Sequence, residues 1–267
     1  MKILLLANKD IASNLALNIL FRTMLGAHKF KILLSSSVGK NSKSKPQSLV
    51  DLAFFEQDLF NKILFPALQN PPSLNSEKFQ SFAGFKTKGI EVSDIHSINC
   101  QTGIEKIKAF APDLIVSIRF GLILQSAVIA IPKFGVINLH SGELPTYRGV
   151  MATLRAMQQN DTEYGTTLHY INDSGIDSGE IICITKQVLD YQRSYLHNTL
   201  SLYETGIKDV VNTITEIENT GKCSSYSVNS KGNYFSFPSE QELNNFKQKG
   251  LTLYEYQDVI DIAQRYY

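Results

Sequence analysis

Asn138, His140 and Asp177 are the residues of this sequence best suited to chemistry. The first two lie in Val136-Ile-Asn-Leu-His140, where strand alternation sends Asn138 and His140 to one face and Ile137 and Leu139 to the other. An amide can donate to a developing negative charge, and an imidazole titrates near neutral pH and can move a proton. Asp177, in Ile176-Asp-Ser-Gly179, supplies a carboxylate able to orient an imidazole and raise its proton affinity. Taken singly, each has a structural explanation: a strand-end Asn or His satisfies a turn or the core, and an Asp in a Gly-rich loop caps a turn. Only the ordered set points to catalysis.

The elements that must hold these residues follow from periodicity. Pro145 stops the strand that ends at His140 and leaves a turn there, the place where open α/β sheets bind ligands. Residues 2–7 read as a buried strand, with Ser13 as cap of a following helix. Strands at 30–34, 89–92, 113–118, 135–140, 165–171 and 180–188 alternate with helices at 102–111, 126–130 and 150–159. That alternation predicts an α/β fold, a doubly wound and mostly parallel sheet. Residues 35–45 read as a loop, and 47–88 as an irregular insertion with a helix near 49–64 and a break at Pro71-Pro72. A long amphipathic helix spans 195–217 and stops at Gly221. The tail then offers a hairpin turning at Asn229-Ser-Lys-Gly232, the aromatic run Asn233-Tyr-Phe-Ser-Phe-Pro238, and two helices, the first capped by Ser239 with Glu242.

Composition narrows the partners. The 267 residues carry 26 basic and 25 acidic side chains, a net charge of +1 that gives no global field for a nucleic acid. Beyond residue 189 the balance is seven Lys/Arg against ten Asp/Glu. Three scattered cysteines form no Cys-x-x-Cys pair, so neither a disulfide framework nor a metal site is indicated, and His28, His96 and His197 lack companion ligands. No apolar stretch reaches the roughly 18 residues that cross a bilayer, and the apolar start is too short for a signal peptide. A cytoplasmic protein with no membrane partner is expected.

Asn138-Leu-His140, Leu144-Pro, Arg148-Gly149, Gly165-Thr-Thr-Leu-His169 and Ile176-Asp-Ser-Gly179, with Asp113-Leu-Ile-Val and Phe120-Gly-Leu-Ile-Leu124 upstream, resemble the folate-dependent formyltransferase family. The resemblance covers roughly residues 2–188 and departs from the family pattern at 35–88. It implies a Rossmann-like catalytic domain over 1–189, a C-terminal extension over 190–267 for dimerisation and nucleotide binding, and transfer of a formyl group from 10-formyltetrahydrofolate to an amine. In that reaction Asn138 donates to the oxyanion, His140 donates to the same oxygen or shuttles a proton, and Asp177 accepts the amine proton through a water. It also implies folate contacts from Phe120, Gly121, Leu122, Leu124, Asp173 and Ile176. His169 reads equally well as support for the catalytic loop and as a structural residue. A nicotinamide cofactor is not expected, because residues 7–12 lack a Gly-x-Gly-x-x-Gly turn.

The acceptor is read from the tail and the catalytic loop. A tRNA formyltransferase would carry a basic tail, and glycinamide ribonucleotide enzymes differ between His140 and Leu144. The motifs are most similar to sugar N-formyltransferases acting on dTDP-linked 4-amino-4,6-dideoxy sugars for surface polysaccharide (O-antigen, lipopolysaccharide) synthesis. Tyr234 or Phe235 could stack on the thymine, and Arg148 with Lys86 or Lys88 could hold the pyrophosphate. A homodimer is expected from the apolar stripe of the 195–217 helix. Other amine acceptors, or a catalytically silent folate-binding regulator, are the alternatives.

Overall fold

The computed structural model describes residues 1–36, 45–68, 78–228 and 232–266. In chain order, β1 (Lys2–Asn8), α1 (Ile11–Met24) and β2 (Lys29–Ser35) are followed by α2 (Gln47–Ala53), a π-helical stretch (Phe54–Leu64), α3 (Phe65–Leu68) and α4 (Phe82–Thr87). Next come β3 (Glu91–Asp94), α5 (Gln101–Phe110), β4 (Leu114–Ile118), α6 (Ser126–Ile129), β5 (Val136–His140) and the short β6 (Tyr147–Gly149). The chain continues through α7 (Ala152–Gln159), β7 (Glu163–Tyr170), β8 (Ile181–Val188), α8 (Tyr195–Thr220), β9 (Asn233–Phe235), α9 (Glu240–Gln248) and α10 (Tyr256–Ala263).

Seven strands form one sheet in the order β3-β2-β1-β4-β5-β7-β8. The first five are parallel, and β7 and β8 add antiparallel to the β5 edge. The unbroken apolar run of β1 is explained by cover on both faces: Ile3, Leu5 and Ala7 join the core beneath α1 and α8, while Leu4 and Leu6 join the core with Ile107 of α5 and Val128 of α6. Order reverses between β1 and β4, so the exits of β1, β4 and β5 line the switch-point crevice.

Four expectations need correction. The cap of α1 is Asp10, whose Oδ1 accepts from the Ser13 N–H at 2.7 Å; Ser13 lies inside the first turn. The 47–88 region is integral to the core: Phe60, Phe65, Phe79, Phe82 and Phe85 are buried, and the Phe85 ring meets Phe21 of α1 edge-on at 5.1 Å. Most of the expected 35–45 loop and the Pro71-Pro72 break lie outside the described residues. β9 pairs in parallel with β6, as a separate two-stranded sheet, and not with a hairpin partner; the expected hairpin turn falls outside the described residues except for Gly232. Finally, the stripe of α8 is buried inside the molecule, with Leu196, Tyr203, Ile207, Val210, Ile214 and Ile217 each at 1% exposure or less, which removes the surface argument for self-association. Leu243, Phe246 and Ile262 of the tail lie in the same core.

Candidate active site

β5 delivers Asn138 and His140 to one face at its C-terminal end, and the antiparallel register sets His169 opposite Asn138 and Thr167 opposite His140. Cross-strand partners at this spacing touch directly. The Asn138 amide nitrogen lies 3.1 Å from His169 Nε2, and His169 Nδ1–H donates to the Tyr170 carbonyl at 2.9 Å. That second bond leaves Nε2 as the acceptor of the neutral ring. Thr167 holds the loop after β5, donating to the Gly142 carbonyl at 2.8 Å and accepting from the Leu144 N–H at 3.0 Å. A Cβ at Gly142 would lie 2.6 Å from His140 Nε2, so the buried imidazole needs glycine there.

His140 is oriented by the main chain. Its Nε2–H donates to the Tyr147 carbonyl of β6 at 2.7 Å, which turns Nδ1 toward Asp177, with Oδ2 3.6 Å away. The other carboxylate oxygen lies 3.6 Å from His169 Nε2, and the Gly149 N–H donates to Oδ2 at 2.8 Å. Asp177 therefore sits between two imidazoles at ion-pair distance, with one firm main-chain bond. Burial alone would raise its carboxyl, but the charge of His140 and the Gly149 N–H hold it well below the ordinary carboxylate range. Asp177 adopts φ 50°, a left-handed conformation uncommon outside glycine, at the loop joining β7 to β8.

The remaining residues divide. Phe120, Gly121 and Leu122 are half-buried beyond β4, next to the end of β5, and Leu124 is buried. Asn99 fixes this loop, its amide donating to the Ile123 carbonyl at 2.8 Å and accepting from the Gln125 N–H at 2.9 Å. Asp173 is exposed and accepts from the Gly175 N–H at 2.7 Å; Ile176 is half-buried beside Asp177. Arg148 donates through Nε and Nη2 to the Ile176 carbonyl at 3.1 and 2.6 Å. Tyr234 is 55% exposed beside Gly149, whereas Phe235 packs on Tyr147 and lies under the Arg155 guanidinium. Lys86 and Lys88 are not brought to the group. They precede β3, and Lys88 lines a surface hollow with Lys29 and Glu91 at the entry end of the parallel strands, whereas Asn138 and His140 stand toward the exit end.

The crevice between β1 and β4 is occupied by the protein's own charges. Arg119 Nε lies 3.0 Å from Asp10 Oδ2, and its Nη2 3.3 Å from Glu56 Oε1 of the π-helical stretch. Burial raises the Glu56 carboxyl, against the pull of Arg119. An internal carboxylate thus stands at the start of α1, where a nucleotide phosphate binds in dinucleotide folds.

Residues 82–196 match the family model described as Formyl transferase. Over this segment the chain is similar to the formyl transferase family. The methionyl-tRNA formyltransferase of Xylella fastidiosa (strain 9a5c) is 34% identical over 116 residues, 43% of this chain and 38% of that protein. That of Kosmotoga olearia is 38% identical over 93 residues, 35% of this chain and 30% of that protein. The chain thus spans well under half the length of these curated relatives. Among solved structures, a sugar N-formyltransferase from a Shewanella species aligns over 92% of this chain and 86% of its own, with TM-score 0.56 and 14% identity. An N-formyltransferase from Helicobacter canadensis, in complex with folinic acid and dTDP-3-aminofucose, aligns over 94% and 83%, with TM-score 0.55 and 20% identity. The phosphoribosylglycinamide formyltransferase of Anaplasma phagocytophilum aligns over 88% and 98%, with TM-score 0.55 and 13% identity. At such identities the likeness is one of fold.

The matched segment contains Asn138, His140, His169 and Asp177, while β1, β2 and β9 lie outside it. Within it, sequence reasoning missed two groups and left His169 open between a supporting and a structural role. The Tyr147 carbonyl and the Gly149 N–H are main-chain atoms and leave no side-chain signature. His169 had a signal, its period-2 spacing from Thr167, but its partner depended on the β5–β7 register. Among the described residues no helix is long and apolar enough to cross a membrane.

Proposed function

We propose that this protein transfers a formyl group from 10-formyltetrahydrofolate to the amine of a dTDP-linked 4-amino-4,6-dideoxy sugar, in the cytoplasm, for a surface polysaccharide such as an O-antigen. The observation that carries the reading is the convergence of Asp177 with His140 and His169, each 3.6 Å away, beside the Asn138 amide. The second N–H of Asn138 donates to the oxyanion as the amine adds to the formyl carbon, a contribution typically near 3 kcal/mol. Asp177 orients His140 and takes the amine proton through a water. The loop at 120–124, with half-buried apolar side chains and main-chain polar atoms, fits a pterin edge, and Asp173 with Ile176 of the β7–β8 loop would complete the folate contacts.

Two features support a nucleotide sugar as acceptor. Tyr234 exposes a ring for the thymine beside the catalytic group. The tail is net acidic and two of its arginines are already paired, Arg193 with Asp258 and Asp261, and Arg265 with Glu204, which suits a tRNA poorly. The similarity to methionyl-tRNA formyltransferases keeps initiator tRNA as the competing acceptor. The test offers the purified protein 10-formyltetrahydrofolate with the dTDP-amino sugar, glycinamide ribonucleotide or charged initiator tRNA in parallel. Turnover of the sugar alone is expected. Preference for either other amine overturns the acceptor assignment, and folate binding without turnover of any would leave the silent regulator.

A further inference from the structure

All three residues of β6 hold part of the catalytic group. The Tyr147 carbonyl anchors His140, the Arg148 guanidinium anchors the Ile176 carbonyl, and the Gly149 N–H anchors Asp177. Successive residues of a strand direct their main-chain groups to opposite edges. Tyr147 and Gly149 thus face the catalytic side chains, and the other edge of β6 meets β9, where Val150 N–H donates to the Phe235 carbonyl at 3.0 Å.

The contact between the strands is unusually close. Gly149 adopts φ +98°, and a Cβ there would fall 2.1 Å from the Phe235 carbonyl oxygen. Phe235 is fastened from the other side by the Tyr147 ring, 6.0 Å between centroids, and by Arg155, whose Nη2 also donates to the Ser236 carbonyl at 3.2 Å. Tyr234, between these anchors, points its ring outward. A two-stranded ribbon of three residues per strand is marginal by itself, so its order responds to what packs on it.

We propose that β6 couples occupancy of Tyr234 to the alignment of His140 and Asp177, so that the nucleotide of the acceptor raises kcat and not affinity alone. The inference rests on the nucleotide-sugar reading above. A base stacked on Tyr234 restrains β9, β9 restrains β6, and β6 fixes the imidazole and the carboxylate. Binding energy from a non-reacting part of the substrate is thereby used at the reacting centre. The specificity that follows is against amino sugars lacking a nucleotide.

The test splits the acceptor into free 4-amino-4,6-dideoxy sugar and dTDP. With the whole protein and 10-formyltetrahydrofolate, kcat for the free sugar is measured with and without saturating dTDP, and dTDP binding is followed by calorimetry. The expected result is at least a tenfold rise in kcat on adding dTDP. A shift of the His140 ring-nitrogen resonances in 15N-histidine-labelled protein, assigned with His140→Gln, should accompany it. If dTDP binds but kcat and the resonances stay unchanged, the coupling is refuted and the nucleotide reading survives. If dTDP fails to bind, both fall.

Discussion

Asn138 and His169 face each other across the β5–β7 pair, amide nitrogen to Nε2 at 3.1 Å, and the bond from His169 Nδ1–H to the Tyr170 carbonyl decides which atom of each is donor. The Asn138 amide is thereby turned nitrogen-inward, because the opposite flip would set two acceptors against each other. His169 so fixes the direction of the proposed oxyanion donor.

Replacing His169 by Phe removes that acceptor while keeping a buried ring. One neutral hydrogen bond is worth about 1 kcal/mol, so kcat should fall about fivefold. Asn138→Ala, which removes the proposed oxyanion donor itself, should cost about 10²–10³-fold. Steady-state kinetics on the two variants check the ranking, and a His169→Phe enzyme with native kcat would end the orienting role.

The depressed Asp177 carboxyl makes a pH-dependent contribution to stability. A group whose folded pKa lies below its unfolded value stabilises fully above the unfolded value, about 3.9 for Asp, and loses that contribution as pH falls through the folded one. Asp177→Asn should therefore be less stable than the native protein at neutral pH, with the difference starting to close as pH drops below about 4 and vanishing only in stronger acid. Urea midpoints across an acid series measure this. A difference that stays constant into strong acid would contradict the pairing with His140 and the Gly149 N–H.

The tail is fastened by one buried carboxylate. Asp258, 1% exposed, accepts from the Ser194 hydroxyl at 2.5 Å, from the Glu255 N–H at 2.8 Å and from Arg193 at 3.3 Å. These bonds join the first turn of α8 to that of α10. Asp258→Ala strands their donors and should cost about 3–5 kcal/mol in urea unfolding. Faster amide exchange in α10 should accompany it, and native exchange there would show that Phe246 and Ile262 dock the tail unaided.

The three cysteines should react in a fixed order. Hydrogen bonds from the Thr102 hydroxyl and the Gly103 N–H lower the exposed Cys100 thiol to about 7, while burial and nearby carboxylates push Cys183 up to about 12 and Cys223 to about 11. Iodoacetamide at neutral pH, followed by peptide mass analysis, should label Cys100 well before the others. Equal rates would contradict this microenvironment.

Much of the architecture was legible because it depends on local pattern. The apolar run of β1, the stripe and Gly221 stop of α8, and the Ser239–Glu242 capping box are set by residues within a few turns of one another. The misread parts depended on distant chain. Asp10 outranks Ser13 as cap because β1 delivers it at φ −133°, with its carboxylate over the first turn. The 47–88 aromatics looked irregular because their partners lie on α1 and at Tyr266. Lys86 looked eligible for the site until strand direction put it at the far end of the sheet.

What the sequence determined by itself was the inventory: strand and helix periods, and an amide, an imidazole and a carboxylate in motifs that resemble one family. Tertiary structure decided which atoms meet. Asp177 reaches both imidazoles, and β9 lies along β6 and not in a hairpin, because registers between strands far apart in the chain are chosen by packing over the whole sheet. The anchors of His140 and Asp177 are a carbonyl and an N–H, groups that nearly every residue carries, so side-chain identity could not have marked them.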